Sequence, residues 1–212
     1  MTTRLQDAIH VVGQITLLWS RTEIHLERII WAYTDAEARI GRAITGILGN
    51  VSKSDLLLAL AGELEGEEEI LDHLNHLVEC YNICRENRNI VIHSAIVEDD
   101  DGETMLIKGT RTGRFNTFEG AIEILRDVSE EVGATYHYCK ALEEHIWFPH
   151  AYGHLRHTGV VRPPLPSKPQ KPRKLTPGHS PGAEQAFPHP LDTWRPKAAK
   201  GKAKPPPSPP SA

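Results

Sequence analysis

The stretch Glu67–His93 reads EEEILDHLNHLVECYNICRENRNIVIH and has the apolar spacing of an α-helix. Apolar side chains recur every three or four positions, at Ile70, Leu74, Leu77, Tyr81 and Cys84. This recurrence predicts one long amphipathic helix from about Glu67 to Ile92. Its last turns carry Arg88, Asn89 and His93 around an apolar run, a dense set of polar groups for the end of a buried helix.

Helical spacing also extends on both sides of this stretch. The same periodicity predicts four further helices: about Arg4 to Tyr33, about Asp35 to Leu48, one beginning at the Ser52–Asp55 turn, and about Phe118 to Trp147. Gly49 and Asn50 are residue types that commonly end a helix, and Ser-x-x-Asp is a common helix start. The chain is therefore predicted to be all-α, an antiparallel bundle of about five helices.

One segment between the fourth and fifth helices has a different pattern. It reads SAIVEDDDGETMLIKGTRTGRFNTF, with Asp101-Gly102 between two short apolar runs, Ala95–Val97 and Met105–Ile107. Asp-Gly between such runs predicts a short β-hairpin after the fourth helix. Because an isolated hairpin is only marginally stable in water, it must pack on the helices or on a second copy of the chain.

Proline and charge divide the chain near residue 148. All 16 prolines lie at Pro149 or later. Residues 1–148 carry 13 Lys and Arg against 26 Asp and Glu, a net charge of −13, whereas residues 149–212 carry 11 against 2, a net charge of +9. Few apolar side chains offset the ordering entropy of the second part. We therefore predict a helical domain over 1–148 and a disordered, basic, proline-rich tail over 149–212. Such a tail serves either as a solvated tether or as an electrostatic arm for RNA or another acidic partner.

Cysteine usage and the lack of long apolar runs bear on location. The three cysteines show no disulfide framework of the kind found in secreted proteins. The sequence lacks the charged start and following apolar core that are typical of a signal peptide, so none is expected. No apolar run approaches the roughly 18 residues of a membrane span, so no membrane partner is expected. These features predict a cytoplasmic protein.

Four potential metal ligands lie on one stripe of the fourth helix, at His73, His76, Cys80 and Cys84. Eleven residues at ~1.5 Å rise separate the first from the last by about 16 Å, too far for one tetrahedral zinc site. A pair would need further ligands from elsewhere. We interpret the stripe as a packed, partly polar helix face, and predict no metal and no cofactor.

The pattern Arg88-Asn89-x-x-x-His93 is rare by chance. Composition predicts about 0.02 occurrences of Arg-Asn followed four positions later by His. On a helix, Asn89 and His93 share one face, and the long Arg88 side chain reaches the same rim. A cation, an amide and an imidazole would then surround one phosphate. The alternative is an ordinary helix end, where cationic residues are mildly favoured.

This pattern resembles the Arg-Asn-x-x-x-His signature of the HEPN superfamily. Trp19-x-x-x-Glu23 is similar to a first-helix pattern of some bacterial members. The order of elements also resembles that family: a long first helix, a middle helical pair, a helix ending in the motif, a short hairpin and a closing helix. The resemblance covers roughly residues 5–147 and implies a HEPN-like fold.

The resemblance also implies an activity. Many members are metal-independent endoribonucleases that act as homodimers in toxin–antitoxin or antiviral defence systems, sometimes with an antitoxin or another regulatory protein. Arg88, Asn89 and His93 would then be catalytic, and Glu23 would hold Arg88 in place. Arg111 and Arg114, in the basic hairpin loop, are candidate RNA contacts. The alternative is a catalytically inactive HEPN-like domain that serves as a binding or scaffolding module.

Overall fold

Five α-helices and a small antiparallel sheet make up the described part of the chain. The computed structural model describes residues 3–98, 104–110, 115–152 and 160–177. Its elements are α1 Thr3–Tyr33, α2 Ala38–Thr45, α3 Asn50–Leu64, α4 Glu68–Ile92, β1 Ala95–Glu98, β2 Thr104–Gly109, β3 Phe115–Glu119 and α5 Ala121–Tyr152. The predicted count of five helices is confirmed, and α1 and α4 end within a residue or so of their predicted bounds.

Helices α1 and α5 form the largest contact and run parallel. Cys139 Sγ lies 3.9 Å from the carbonyl oxygen of Thr22. Further along both helices, Trp147 Nε1 donates to the carbonyl oxygen of Arg28 at 2.7 Å. Residue numbers therefore increase together along the pair, and the prediction of an antiparallel bundle is wrong for these two helices.

Helices α4 and α5 are antiparallel, as predicted. The Tyr138 hydroxyl bonds to His73 at 2.8 Å, whereas the earlier Thr135 lies 3.4 Å from the later Cys84. Helix α3 runs in the same direction as α1, because α2 carries the chain back along α1 before α3 begins. Accordingly, Lys53 near the start of α3 contacts Glu27, and Glu65 just after its end accepts from Tyr33. The chain reverses at α4 and again at α5, which leaves α5 parallel to α1.

The core lies between α1, α4 and α5. Trp19 stacks on Tyr81 with ring centroids 4.6 Å apart, and both side chains are almost fully buried. Trp31 is also buried and donates through Nε1 to Thr45 Oγ1 at 3.2 Å. Trp19 and Trp31 are thus core residues, and the half-buried Trp147 bonds across α1 and α5.

The sheet is a three-stranded antiparallel meander in the order β1-β2-β3. β1 pairs with β2 in the register Ala95↔Ile107 and Val97↔Met105, which confirms the predicted hairpin. The Asp101-Gly102 turn lies outside the described residues. The third strand was not predicted, because Phe118 was assigned to the start of the last helix. Gly120, at a positive φ of 68°, separates β3 from α5 instead.

The described structure continues past the boundary predicted at residue 148. Helix α5 continues past Pro149 to Tyr152, and the compact unit that contains the described residues extends to Gly178. Residues 160–177, called the strap below, lie in extended form along α4 and α5. They are not a disordered tail, because their backbone and cationic side chains bond to the helices. Residues 153–159 and 178–212 lie outside the described part.

Candidate functional site

The Arg-Asn-x-x-x-His motif lies at the carboxyl end of α4. Arg88 and Asn89 occupy the last turns of the helix, and His93 is the residue just past its end. The His93 side chain is exposed. Ser94 caps this end through its Oγ, which donates to the carbonyl oxygen of Ile90 at 2.6 Å. The cap holds His93 at the surface at the point where the chain leaves the helix.

Arg88 is oriented by its own neighbour. One terminal nitrogen of its guanidinium donates to Asn89 Oδ1 at 3.1 Å. Its Nε is buried and has no hydrogen-bond partner within the described part of the chain. Asn89 therefore holds the guanidinium, and among the described residues no hydrogen bond joins Asn89 to His93.

Glu23 lies close to Tyr81 rather than to Arg88. No salt bridge joins Glu23 to Arg88 among the described residues. Glu23 instead lies near Tyr81: burial raises the pKa of the Tyr81 hydroxyl, and the Glu23 carboxylate raises it further. Arg88 lies seven residues beyond Tyr81, about 10 Å further along α4 at ~1.5 Å rise per residue. This distance explains the missing ion pair.

Arg111 and Arg114, the candidate RNA contacts of the hairpin loop, lie outside the described residues. The candidate site therefore consists of Arg88, Asn89 and His93. It can offer a fixed cation and an exposed imidazole at one helix end.

The polar stripe of α4 faces α5 and the strap. The Tyr138 hydroxyl bonds to His73, His76 Nε2 donates to a strap carbonyl at 2.9 Å, and Cys84 lies against Thr135. Burial lowers the pKa of His73 and raises the pKa of the Cys84 thiol to about 12. Each group has its own protein partner, which confirms the interpretation of a packed, partly polar face. All three cysteines are buried free thiols.

The strap contains the functional residues that sequence reasoning missed. Its five cations each contact a carboxylate of the helical body, in the pairs Arg162–Glu67, Lys168–Asp72, Lys171–Glu79, Arg173–Asp127 and Lys174–Glu86. Each of these side chains is therefore paired within the chain, at the surface of the helical body. The Lys168 ammonium holds the pKa of Asp72 below its usual range.

The backbone of the strap is bonded as well. Asn87 is fully buried, and its Nδ2 donates to the carbonyl oxygen of Arg173 at 2.8 Å. Its Oδ1 accepts from the backbone N–H of Leu175 at 2.9 Å. The sequence contained a signal for this contact, because Asn87 takes a core position in the apolar pattern of α4. Asn87 also precedes Arg88 directly, so the strap is anchored beside the motif.

Comparisons with protein-family models, with curated proteins and with solved structures each find no match to this chain. Within the described ranges, no helix is long and apolar enough to cross a membrane. In the same ranges, no group of three or more His, Cys, Asp or Glu side chains is placed to hold a metal ion.

Proposed function

We propose that this protein is a metal-independent endoribonuclease of the HEPN type. The observation that supports the proposal is the arrangement at the end of α4. There an exposed His93 follows a helix whose last turns carry Arg88 bound to Asn89. An accessible imidazole near a fixed cation suits chemistry on a phosphodiester.

RNA supplies its own nucleophile, the 2′-hydroxyl. In the proposed reaction, the 2′-oxygen forms a bond to phosphorus as the bond from phosphorus to the 5′-oxygen breaks. One imidazole accepts the 2′-proton, and a second gives a proton to the leaving 5′-oxygen. The guanidinium of Arg88 stabilises the charge that develops on the phosphoryl oxygens, and Asn89 keeps it oriented. The products are a 2′,3′-cyclic phosphate and a free 5′-hydroxyl.

The need for two imidazoles favours a homodimer, in which His93 of one copy acts as base and His93 of the other as acid. Separately, we assign contact between copies to an exposed apolar stripe on α2 and the following turn. Ile40, Ile44 and Ile47 are 51%, 41% and 85% exposed. Apolar surface of this kind is commonly covered by a partner.

The cellular role follows from the HEPN resemblance. We propose toxin–antitoxin or antiviral defence function, with an antitoxin or another regulatory protein as a further partner. Three unpaired, buried thiols fit a reducing compartment, so the proposal places the protein in the cytoplasm.

A cleavage assay in EDTA tests the proposal. Full-length protein should cut RNA without added metal and leave 2′,3′-cyclic phosphate ends. His93→Ala should lower the single-turnover rate at least about 100-fold, because general acid–base catalysis contributes about 10²–10⁴-fold. His10→Ala is the matched control, since His10 is an exposed histidine on α1. Equal rates for the two variants would remove His93 from the chemistry.

A catalytically inactive HEPN-like binding module is the second candidate. The occupied and partly buried Arg88 guanidinium favours it, because an arginine tied to its neighbour offers fewer donors to a phosphate. Failure of the wild-type chain to cut RNA, both in EDTA and with divalent metal, would select this function. RNA retention in a gel-shift assay would then be the informative measurement.

A further inference from the structure

The lysines of the strap match the carboxylates of α4 in spacing. Lys168, Lys171 and Lys174 are three residues apart and contact Asp72, Glu79 and Glu86, which are seven residues apart. Seven residues of α-helix span about 10.5 Å. Three residues of polyproline II helix span about 9.3 Å. The two repeats therefore stay in register over three successive pairs.

Over residues 161–170, the exposure of the strap has the same three-residue repeat. Val161, Pro164, Ser167 and Gln170 are exposed, and the two residues between each pair are partly covered. Pro172 is buried, and the side chains of Leu165 and Leu175 pack against the core. A helix with three residues per turn has this pattern when one side rests on a surface. The strap thus binds as an extended ligand with one bound side and one solvent side.

Bonds to the strap backbone are independent of its side chains. Asn87 bonds to both the carbonyl of Arg173 and the N–H of Leu175. His76 Nε2 donates to the carbonyl of Pro169 at 2.9 Å. Glu131 Oε1 accepts from the N–H of Arg173 at 2.9 Å. These bonds select an extended backbone, and the largely exposed lysine pairs, each weak alone, select the register.

We propose that the α4–α5 face is a recognition site for extended, proline-rich peptides with a cation at every third position. The strap is its built-in ligand, and a separate polypeptide of the same chemistry competes with it. The structure favours this because the bonds described above all run between the strap and helix side chains, and none of them requires a covalent link. A tethered ligand acts at an effective concentration of about 1 mM, so the free site binds more tightly than the closed chain. This inference is independent of the ribonuclease proposal.

The test uses the full-length chain and a fluorescent peptide of residues 160–177. In the variant K168E/K171E/K174E, like charges release the strap. Fluorescence anisotropy should show at least tenfold tighter peptide binding to this variant than to wild type, with affinity falling as salt rises. Circular dichroism checks that the variant keeps its helices.

A register-shifted peptide is the matched control. In it, Ser167 exchanges places with Lys168 and Gln170 with Lys171, so composition and net charge are unchanged. It should bind the released chain at least tenfold more weakly than the native peptide. Equal binding of both peptides, or binding of neither by a helical variant, overturns the proposal.

A second measurement avoids the variant altogether. In the ¹⁵N-labelled wild-type chain, the amides of Arg173 and Leu175 should be protected from hydrogen exchange. Unlabelled native peptide at millimolar concentration should reduce that protection, and the register-shifted peptide should leave it unchanged. Amides that are unprotected from the start, or protection that native peptide does not alter, contradict the proposal.

Discussion

At the scale of single residues, Gly41 lets α2 approach α1. A Cβ atom added at Gly41 would lie 2.5 Å from Cγ of Trp31, well inside van der Waals contact. Trp31 is itself held by Thr45, one turn further along α2. The indole therefore has no room to move away, and a side chain at position 41 would separate the two helices.

Gly41→Ala should destabilise the fold by about 1–3 kcal/mol, the usual cost of overpacking. Gly13→Ala is the matched control, because a Cβ at Gly13 meets nothing within 4 Å. That exposed mid-helix change should instead stabilise the protein by about 0.5–1 kcal/mol. Urea denaturation measures both effects. Similar midpoints for the two variants would contradict the close contact.

At the scale of elements, the parallel α1–α5 pair is joined by a buried carboxylate. Glu143 on α5 is 3% exposed and contacts both His25 and Arg28 of α1, the latter at 3.0 Å. Its neighbour Glu144 is half exposed and pairs with Lys140 of the same helix, at 3.7 Å. Glu143 therefore makes a tertiary contact between two helices, whereas the adjacent Glu144 makes a local contact within α5.

Glu143→Ala should lower the free energy of unfolding by about 3 kcal/mol, because it leaves His25 and Arg28 without their shared acceptor. Glu144→Ala should cost less than about 0.5 kcal/mol, the value of an exposed i,i+4 pair. Chemical denaturation of both variants gives the comparison. An equal loss in the two would show that Glu143 does not hold α1 to α5.

At the scale of the whole molecule, the strap closes the α4–α5 face. Its removal would expose Asn87, which is fully buried beneath it, and the core surface that Leu165 and Leu175 contact. The strap also neutralises part of an acidic body, since Lys168, Lys171 and Lys174 contact carboxylates of α4. The strap is therefore part of the folded unit rather than an appendage.

Chains ending at Gly159 and at Gly178 isolate this contribution. Loss of the strap contacts should lower the free energy of unfolding by about 2–3 kcal/mol. This is the contribution expected from two partly buried leucines and the hydrogen bonds of Asn87. At about 2–4 °C per kcal/mol for a chain of this size, the shorter chain should melt roughly 5–10 °C lower. Calorimetry measures the difference. Identical Tm values would mean that the strap contributes no net stability.

The proposed dimer is also a property of the whole molecule. Ile44→Glu places a charge in the apolar stripe of α2 and should convert the dimer to a monomer. Leu64→Glu, at a 59% exposed leucine that ends α3, is the matched control and should leave the mass unchanged. Sedimentation equilibrium distinguishes the two. A monomeric wild-type chain, or an Ile44→Glu dimer, would remove this surface from the proposal.

Features that depend on neighbouring residues in the chain were determined by the sequence. The bounds of α1 and α4 follow from apolar residues spaced for one helix face. The pairing of β1 with β2 follows from Asp101-Gly102 between two apolar runs. The placement of Arg88, Asn89 and His93 at the end of α4 was predictable for the same reason, because it depends only on where that helix stops.

Other features were decided only by the tertiary structure. Arg88 bonds to Asn89 and not to Glu23 because of the relative positions of α1 and α4 along their axes. The parallel direction of α5 depends on the crossover through α2. The order of the strap depends on a second element, because an extended proline-rich segment makes no internal hydrogen bonds. Its own composition predicts disorder, and only the carboxylates and Asn87 of α4, brought alongside by folding, supply the missing partners.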